Sequence, residues 1–364
     1  MSSDRLLLGT RKGSLILERN GSGWRLQREA HLGARVSYAM VDSRTGELFA
    51  CLDHGHWGAK LSRSRDAGET WQELPAPKYP EGEELKPGTP AVLKYLWCLV
   101  EGLPSQPGRL YMGTVPGGLF VSDDHGESWQ LDRPLWDHPS RKVDGMWFGG
   151  GMDDPGIHSV LVDPRTPDVM LVGVSCAGVF AGRPIASEDT WRPRNKGLNA
   201  EFLPNPDSEV GHDPHLVVQC QSRPDVLWQQ NHCGIFRSVD RGQTWKSVST
   251  KAETAHFGFA IAADPNDENT AWVIPAESDE VRVACSRRLQ VCRTSDGGQT
   301  WQSYSSGLPQ EHCYDFAFRH ALDQSGDRLA FGTACGSLYI SEDRGESWQS
   351  FGSHLPPIYS ARFA

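Results

Sequence analysis

The sequence predicts an all-β fold, a single seven-bladed β-propeller, from three observations. An eight-residue segment recurs five times with nearly constant spelling, apolar runs of strand length surround the copies, and the two ends of the chain carry complementary, incomplete sets of strands. A unit that repeats along the whole chain indicates an array of supersecondary structures. Four short antiparallel strands to a unit make one blade of a propeller.

The recurring segment reads Ser/Thr-x-Asp-x-Gly-x-Ser/Thr-Trp, and each residue type has a structural role. In the first copy, Asp66 is expected to accept hydrogen bonds from backbone N–H groups two residues on, Gly68 to adopt a positive φ, and Trp71 to restart a strand with its ring turned inward. The segment is therefore predicted to be a hairpin turn with its own clamp. The five copies lie at 64–71, 122–129, 238–245, 294–301 and 341–348. The predicted structural aspartates are Asp66, Asp124, Asp240, Asp296 and Asp343.

This segment resembles the Asp-box, or BNR repeat, of sialidases and related β-propellers. Sialidases, however, have six blades, hold their substrate with an arginine triad and carry an early Arg-Ile-Pro motif. The nearest string here is 182–185, Gly-Arg-Pro-Ile, in another order and another blade. The chain is therefore expected to be sialidase-like in its repeat without being a true sialidase. The photosystem II stability factor, an assembly protein, and single modules of xyloglucan-cleaving enzymes resemble it in the same way.

Two further units are shortened, and the chain ends complete each other. Ser187 to Trp191 looks like a copy without the glycines, and Asn20 to Trp24 like a shorter turn before an equivalent tryptophan. Residues 358–363 read as an innermost strand and residues 6–9 as a second strand, so together they are expected to close the ring without an exposed sheet edge. The predicted blades of this single domain, 1–364, are 358–364 with 4–30, 35–75, 92–134, 157–194, 215–250, 256–305 and 312–352.

Composition excludes several classes of function. The net charge of -10 disfavours binding to nucleic acid or to an anionic membrane, since both need a basic surface. The nine cysteines occur singly, so neither a disulfide framework nor a structural zinc ribbon is expected. No run approaches the ~18 apolar residues of a membrane span, and the first residues do not resemble a secretory signal, which makes a cytoplasmic location the default expectation.

Histidines concentrate on one predicted face of the propeller. In a four-stranded antiparallel blade, the start of the inner strand and the end of the second strand share one face, and the Asp-box turns lie on the other. This rule puts most of the 13 histidines on the first face, around the mouth of the central channel. Those at nearly equivalent positions in four consecutive blades are His158, His215, His256 and His312.

A ring of imidazoles at the channel mouth has two chemical interpretations. Converging neutral imidazoles suit a divalent transition metal such as zinc, manganese, iron, nickel or copper, so these four histidines are candidate ligands. A histidine with a near-neutral pKa would instead serve as general acid or base. Catalytic roles are predicted for His54, His232 and Glu277, near the ends of second strands. The alternative is that each ring only satisfies loop backbone groups or fills the channel mouth.

Cations and long connections reach the same face. Arg11, Lys12, Arg35 and Lys60 are candidate substrate-binding residues for an anionic ligand, with ordinary surface salt bridging as the alternative.

The insertion between blades 3 and 4 joins Trp147 to three glycines, 149–151. Loops of this length are often functional, so Trp147 is expected either to stack on a ligand or to pack over the rim. A second long connection, 199–214, brings His212, Asp213 and His215 and is expected to flank the same pocket.

Two functions remain open at this point. The first is a metal-dependent hydrolase or lyase acting on a carbohydrate or other small anionic substrate. The second is a non-catalytic propeller that binds a protein partner across the same face. An exposed apolar rim without a deep polar pocket would favour the second function.

Overall fold

Seven four-stranded antiparallel sheets surround one axis, which confirms the predicted seven-bladed propeller. The computed structural model describes residues 2–21, 23–143, 146–167, 169–186 and 190–364. The inner strands of neighbouring blades contact one another all the way around the ring. Among the described residues, none of the helices is long and apolar enough to cross a membrane.

Each blade runs from an inner strand at the axis to an outer strand at the rim. In that order the strands are Ile358–Phe363, Arg5–Thr10, Gly13–Asn20 and Gly23–Ala30 in blade 1; Arg35–Val41, Leu48–Asp53, Ala59–Ser64 and Gln72–Leu74 in blade 2; Tyr95–Glu101, Leu110–Val115, Leu119–Ser122 and Gln130–Leu131 in blade 3; Ile157–Val162, Met170–Val174, Gly178–Gly182 and Arg192–Pro193 in blade 4; Pro214–Gln219, Leu227–Asn231, Gly234–Ser238 and Lys246–Ser247 in blade 5; Gly258–Ala263, Ala271–Pro275, Val291–Thr294 and Gln302–Tyr304 in blade 6; and Leu322–Ser325, Arg328–Gly332, Leu338–Ser341 and Gln349–Gly352 in blade 7.

The remaining elements are short and lie in connections between strands. They are the strand pair Glu84–Lys86 and Thr89–Pro90, the α-helix Arg133–Trp136, and the 3-10 helices Gly55–Trp57, Pro139–Lys142 and Cys285–Arg287.

The C-terminal strand closes the N-terminal blade, as the sequence predicts. Its register places Ala361 opposite Leu8 and Phe363 opposite Leu6. Leu6, Leu8 and Ala361 are fully buried, so the closing strand contributes to the core as well as to the hydrogen-bonded sheet. The first and last segments of the chain therefore form one continuous blade.

Each Asp-box forms a turn clamped by its aspartate on the face away from the inner-strand starts. In the first copy, Ser64 Oγ donates to Asp66 Oδ1 at 2.8 Å, and Thr70 donates to Asp66 from its N–H at 2.8 Å and from its hydroxyl at 2.6 Å. The clamped N–H thus lies four residues after the aspartate rather than two. Gly68 has a φ of 89°, a conformation that favours glycine. The same clamps recur at Asp124, Asp240, Asp296 and Asp343.

Tryptophans that follow the turns join neighbouring blades. Trp129, Trp245 and Trp301 each donate from Nε1 to a backbone carbonyl at the outer edge of the preceding blade, at 3.1, 2.7 and 2.7 Å. In the shortened blade 4 copy, Trp191 is fully buried, while residues 187–189 lie outside the described residues. Trp24 of the other shortened copy donates to Glu342 of blade 7 at 3.0 Å. The repeat therefore stabilises the ring as well as each hairpin.

Candidate functional site

A cavity of about 430 Å³ opens at the axial end where the inner strands begin. Its wall includes Arg35, Tyr95 and His215, each at or next to the first residue of an inner strand. The Asp-box turns lie at the opposite end, so they do not take part in this site. The volume is in the range of cavities that hold small molecules.

Three side chains of blade 5 converge in the wall of the cavity. Asp213 directly precedes the inner strand, His215 lies on that strand, and His232 directly follows the second strand. The distance from Asp213 Oδ2 to His215 Nε2 is 3.4 Å, and that from Asp213 Oδ2 to His232 Nδ1 is 3.7 Å. One ligand atom from each of the three residues lies within 4.8 Å of the others.

Hydrogen bonding fixes the tautomer of His215. Its Nδ1 lies 2.6 Å from the carbonyl oxygen of Gly258, which can only accept, so Nδ1 carries a proton. Burial lowers the pKa of His215, which favours the neutral ring with a lone pair on Nε2. Burial alone would raise the pKa of Asp213, but the hydrogen bond and positive charge that His215 offers in its protonated form, together with the charge of Arg319, hold it well below its usual range. Two acceptors therefore face each other, an arrangement that suits either a shared proton or a metal cation.

A second carboxylate lies on the far side of His232. Asp279, in the connection between the second and third strands of blade 6, has Oδ2 3.7 Å from His232 Nε2. A carboxylate at one ring nitrogen typically orients a histidine that binds a cation through the other. The imidazole of His232 thus lies between two acids from different blades.

Both long connections dock on the hairpin between the second and third strands of blade 4. Cys176, at a φ of 54°, donates its N–H to Asp213 Oδ1 at 3.1 Å and accepts from the N–H of Phe148 at 3.3 Å. A side chain at Gly150 would overlap the Cys176 sulfur. Gly150, Gly151 and Met152 consequently line the cavity, whereas Trp147 does not.

Cations and aromatic rings complete the cavity. Arg35, Arg282 and Arg319 reach it from blades 2, 6 and 7, and Arg35 is paired with Asp53 at 2.7 Å. The aromatic rings in the wall are Tyr95, Trp97, Phe259, Phe316, Phe318 and Tyr359. The cavity therefore combines charged groups of both signs with ring faces on which a ligand can stack.

The prediction that four histidines converge at the channel mouth is wrong, because the strand register differs between the blades. Of the four, His215 lines this cavity. The first residue of the blade 6 inner strand, Gly258, is the counterpart of Pro214 in blade 5, so Phe259 takes the position equivalent to His215. His256 lies before that strand, with Nδ1 3.1 Å from Ser249 Oγ, and His312 is exposed ten residues before the blade 7 inner strand.

His158 occupies the matching position in blade 4 but lies deeper in the channel. Its Nδ1 is 2.8 Å from Ser159 Oγ, and its backbone carbonyl accepts from His320 Nε2 at 2.8 Å. It lines a second cavity of about 250 Å³ farther along the axis. His320 lines both cavities.

The remaining predicted catalytic and substrate-binding residues lie outside the main cavity, with the exceptions of His232 and Arg35. His54, Arg11 and Lys12 line a separate depression of about 260 Å³ at the rim. Glu277 is exposed and accepts from the N–H of Ser286 at 3.0 Å. Lys60 pairs with Glu73 at 2.7 Å.

Trp147 packs over the rim, which is the second of the two expected arrangements. Its Nε1 donates to Ser140 Oγ at 3.0 Å, and its ring centre lies 5.3 Å from that of Phe180. The glycines that follow it in the chain, and not the indole, reach the ligand space.

Sequence reasoning missed Asp279, Arg282, Arg319 and the aromatic wall. Arg319 and His320 stand just before the blade 7 inner strand, where the other blades place their channel-mouth residues. Alignment of blade 7 by its Asp-box rather than by His312 would have identified them.

Two family models of the Asp-box repeat match this chain. Models of the BNR/Asp-box repeat and the BNR-Asp box repeat match residues 120–131 and 235–248. An oligoxyloglucan-reducing end-specific xyloglucanase from Emericella nidulans is 25% identical over 222 residues, which cover 57% of this chain and 24% of that enzyme. The chain thus spans about a quarter of the length of this curated relative.

Solved structures share the fold along the whole chain. The periplasmic gluconolactonase of Pseudomonas aeruginosa is similar with a TM-score of 0.61 at 13% identity, covering 99% of this chain and 98% of that one. YCF48 from Cyanidioschyzon merolae is similar with a TM-score of 0.52 at 16% identity, covering 93% of this chain and 95% of that one. With five clamped Asp-box turns, seven closed blades and these matches, the protein is a seven-bladed β-propeller of the BNR, or Asp-box, repeat type.

Proposed function

We propose that the axial cavity is the active site of a metal-dependent hydrolase of carbohydrate-derived substrates. Asp213, His215 and His232 would hold one divalent transition metal ion. The observation that carries the proposal is the convergence of one carboxylate oxygen and two imidazole nitrogens within 4.8 Å of one another in the wall of a cavity of ligand size.

The chemistry of these donors fits such an ion. Two imidazoles with one carboxylate are a frequent donor set of catalytic zinc and iron sites, which keep an open position for substrate or water. The lone pair of His215 Nε2 faces Asp213 because Nδ1 is committed to Gly258. A cation between them would relieve the contact of two acceptors.

The surrounding residues have supporting roles in this proposal. Asp279 would orient His232 through Nε2, and the N–H of Cys176 holds Asp213 at its other oxygen. Gly150 and Met152 line the same cavity and would lie beside a bound substrate. When bound, a divalent ion supplies Lewis-acid polarisation and a lowered pKa for water.

A carbohydrate-derived substrate is supported by the sequence relative and by the wall of the cavity. The relative is, by its name, a xyloglucanase, although the match covers only 57% of this chain. Aromatic rings such as Trp97 and Phe259 offer flat faces to the C–H side of a sugar ring.

The decisive experiment is elemental analysis of protein purified without chelating resin. About one transition-metal ion per chain is expected, falling to background in Asp213→Ala and His215→Ala. His256→Ala and His312→Ala are matched controls that should keep the ion, because both histidines lie outside the cavity. Chelation should abolish hydrolysis of sugar esters, lactones or glycosides, and release of an unsaturated product would identify a lyase instead.

Metal-free wild-type protein, with its thermal midpoint unchanged by a chelator, would contradict the proposal. Equal loss of metal in the two control variants would also contradict it.

A second candidate function is a non-catalytic propeller that binds a protein partner on the same face. Large apolar side chains are exposed in connections on that face, including Leu32 at 67%, Trp57 at 71% and Tyr314 at 64%. Such residues favour a protein contact. Substitution of Trp57 by Ser would weaken partner binding in this case and leave the metal content unchanged.

A further inference from the structure

Arg319 is a cation at the cavity without a described counter-ion. Its guanidinium carbon lies 5.1 Å from the ring centre of Trp97 and 5.4 Å from that of Phe259. No ion pair joins it to a carboxylate among the residues that the structure describes, and its Nε is buried without a hydrogen-bond partner there. The two rings compensate part of the lost hydration of this half-buried cation, but the buried Nε has lost water without gaining a hydrogen bond, which is costly.

None of the neighbouring charges forms an ion pair with Arg319 among the described residues. Asp213 attracts it through space, yet that carboxylate already accepts from the N–H of Cys176 and faces His215. Arg35 is paired with Asp53. Arg282 adds a second cation, whose guanidinium carbon lies 5.3 Å from the centre of the Phe259 ring.

Charge and shape select a carboxylate as the missing partner. The planar guanidinium fork matches the two oxygens of a carboxylate. Asp213 and Asp279 line the same cavity and would repel a dianion such as phosphate more than a monoanion. The volume of about 430 Å³ and the aromatic wall suit a molecule with one ring.

We propose that Arg319 binds the carboxylate of a small ring-bearing acid, of which a hexuronate is the simplest carbohydrate example. The ligand would enter with its carboxylate between Trp97 and Phe259 and its ring beside Asp213, His215 and His232. The chemical conversion of this ligand rests on the proposed function. Its binding depends only on Arg319 and is independent of that proposal.

Calorimetric titration of the full chain tests the proposal with three probes: glucuronate, glucose and inorganic phosphate. Glucuronate is expected to bind at least about ten-fold more tightly than glucose or phosphate. Arg319→Met should weaken glucuronate binding at least about ten-fold, and Arg319→Lys should fall between the two, because lysine keeps the charge and loses the fork. Arg288→Met is the matched control, since Arg288 is exposed in the connection between the second and third strands of blade 6. This variant should leave glucuronate binding unchanged.

The thermal midpoint of each variant separates a binding role from a structural one. Without ligand, Arg319→Met is expected to melt at or above the wild-type midpoint, because it removes an unpaired cation. Glucuronate should raise the midpoint of the wild type and not that of Arg319→Met. A lowered midpoint with unchanged glucuronate affinity would assign Arg319 to the fold and overturn the proposal.

Three further results would also overturn it: no detectable glucuronate binding, equal binding of glucose or phosphate, or wild-type affinity in Arg319→Met. Chelated protein should still bind glucuronate. Binding that survives in a protein without metal or hydrolytic activity would support this inference and refute the proposed hydrolase, so the two failures are distinguishable.

Discussion

His31 links two blades through a neutral imidazole. Its Nδ1 lies 3.0 Å from Ser14 Oγ in blade 1, its Nε2 lies 3.0 Å from Ser62 Oγ in blade 2, and its ring meets Trp71 edge-on with centres 4.6 Å apart. Burial, with a smaller effect of the charge of His54, lowers the pKa of His31 from 6.5 to about 4. The folded protein therefore favours the neutral ring, whereas the unfolded chain protonates it at the ordinary pKa.

A pH-dependent loss of stability follows from this shift. The stabilisation by His31 is complete above pH 6.5 and is lost as the pH falls from 6.5 towards 4. In His31→Gln, the free energy of unfolding should be about 1 to 2 kcal/mol lower at neutral pH and should fall less steeply over that interval. Denaturant titrations at several pH values measure both effects.

His354→Gln is the matched control, because His354 is exposed. The slope of its free energy of unfolding against pH should equal that of the wild type. Parallel slopes for His31→Gln and the wild type would show that His31 is not the titrating group.

At the scale of the element, each Asp-box depends on an ionised aspartate. The backbone N–H and hydroxyl of Thr300 donate to Asp296 at 3.0 and 2.7 Å, and these bonds lower the pKa of Asp296 from 3.8 to about 2. A depressed acid pKa stabilises the fold above the unfolded value of 3.8. This contribution is lost as the pH falls from 3.8 towards 2.

Asp296→Asn should therefore destabilise the protein at neutral pH and flatten its acid unfolding curve. The expected loss is about 1 kcal/mol, since the turn is largely exposed and solvent screens the charge. Asparagine replaces one accepting oxygen with an N–H₂ group that cannot accept from the Thr300 hydroxyl. Glu280→Gln removes an exposed carboxylate elsewhere and should leave both the stability and the acid curve unchanged, and a matching change in that control would refute the assignment.

At the scale of the whole molecule, stability depends on closure of the ring. The strand Ile358–Phe363 pairs with Arg5–Thr10 and contacts the inner strands of blades 2 and 7. Neighbouring blades are joined further by the tryptophan Nε1 hydrogen bonds. Removal of one inner strand therefore opens two blade interfaces as well as one sheet.

Deletion of residues 358–364 should abolish cooperative unfolding rather than lower the midpoint by a few degrees. The buried side chains of Ile358 and Ala361 would leave the core, and the second strand of blade 1 would become an exposed edge. Circular dichroism melting and size-exclusion chromatography measure the loss. A peptide of residues 357–364 should restore the transition where a scrambled peptide does not, and a sharp transition in the deletion variant alone would contradict the role of closure.

The fold was predictable from the sequence because a repeat constrains every blade at once. Five Asp-boxes fixed the turns, and the incomplete ends predicted the closing strand. Asp213, His215 and His232 were accessible to the same reasoning, because antiparallel pairing puts the start of the inner strand of blade 5 beside the end of its second strand. The role of Asp279 was not, since it depends on how the connection after Pro275 folds back across the cavity.

The other site residues depend on strand register, which turn spacing alone does not determine. His256 and His215 look equivalent in the chain, yet the strand of blade 6 begins at Gly258, so Phe259 and not His256 faces the cavity. In blade 7 an irregular stretch precedes Leu322, and it is Arg319 that reaches the site. A shift of one to three residues thus decides which side chains meet at the axis.

His320 lies between two cavities along the axis. One is the upper cavity, with Arg35, Arg282 and Arg319 in its wall, and the other is the lower cavity, whose wall includes Val217, Asp323 and Arg362. Its imidazole is bonded across the axis to the carbonyl of His158. Because this one side chain borders both cavities, His320→Ala is expected to connect them and to let water pass along the axis between the two faces of the ring.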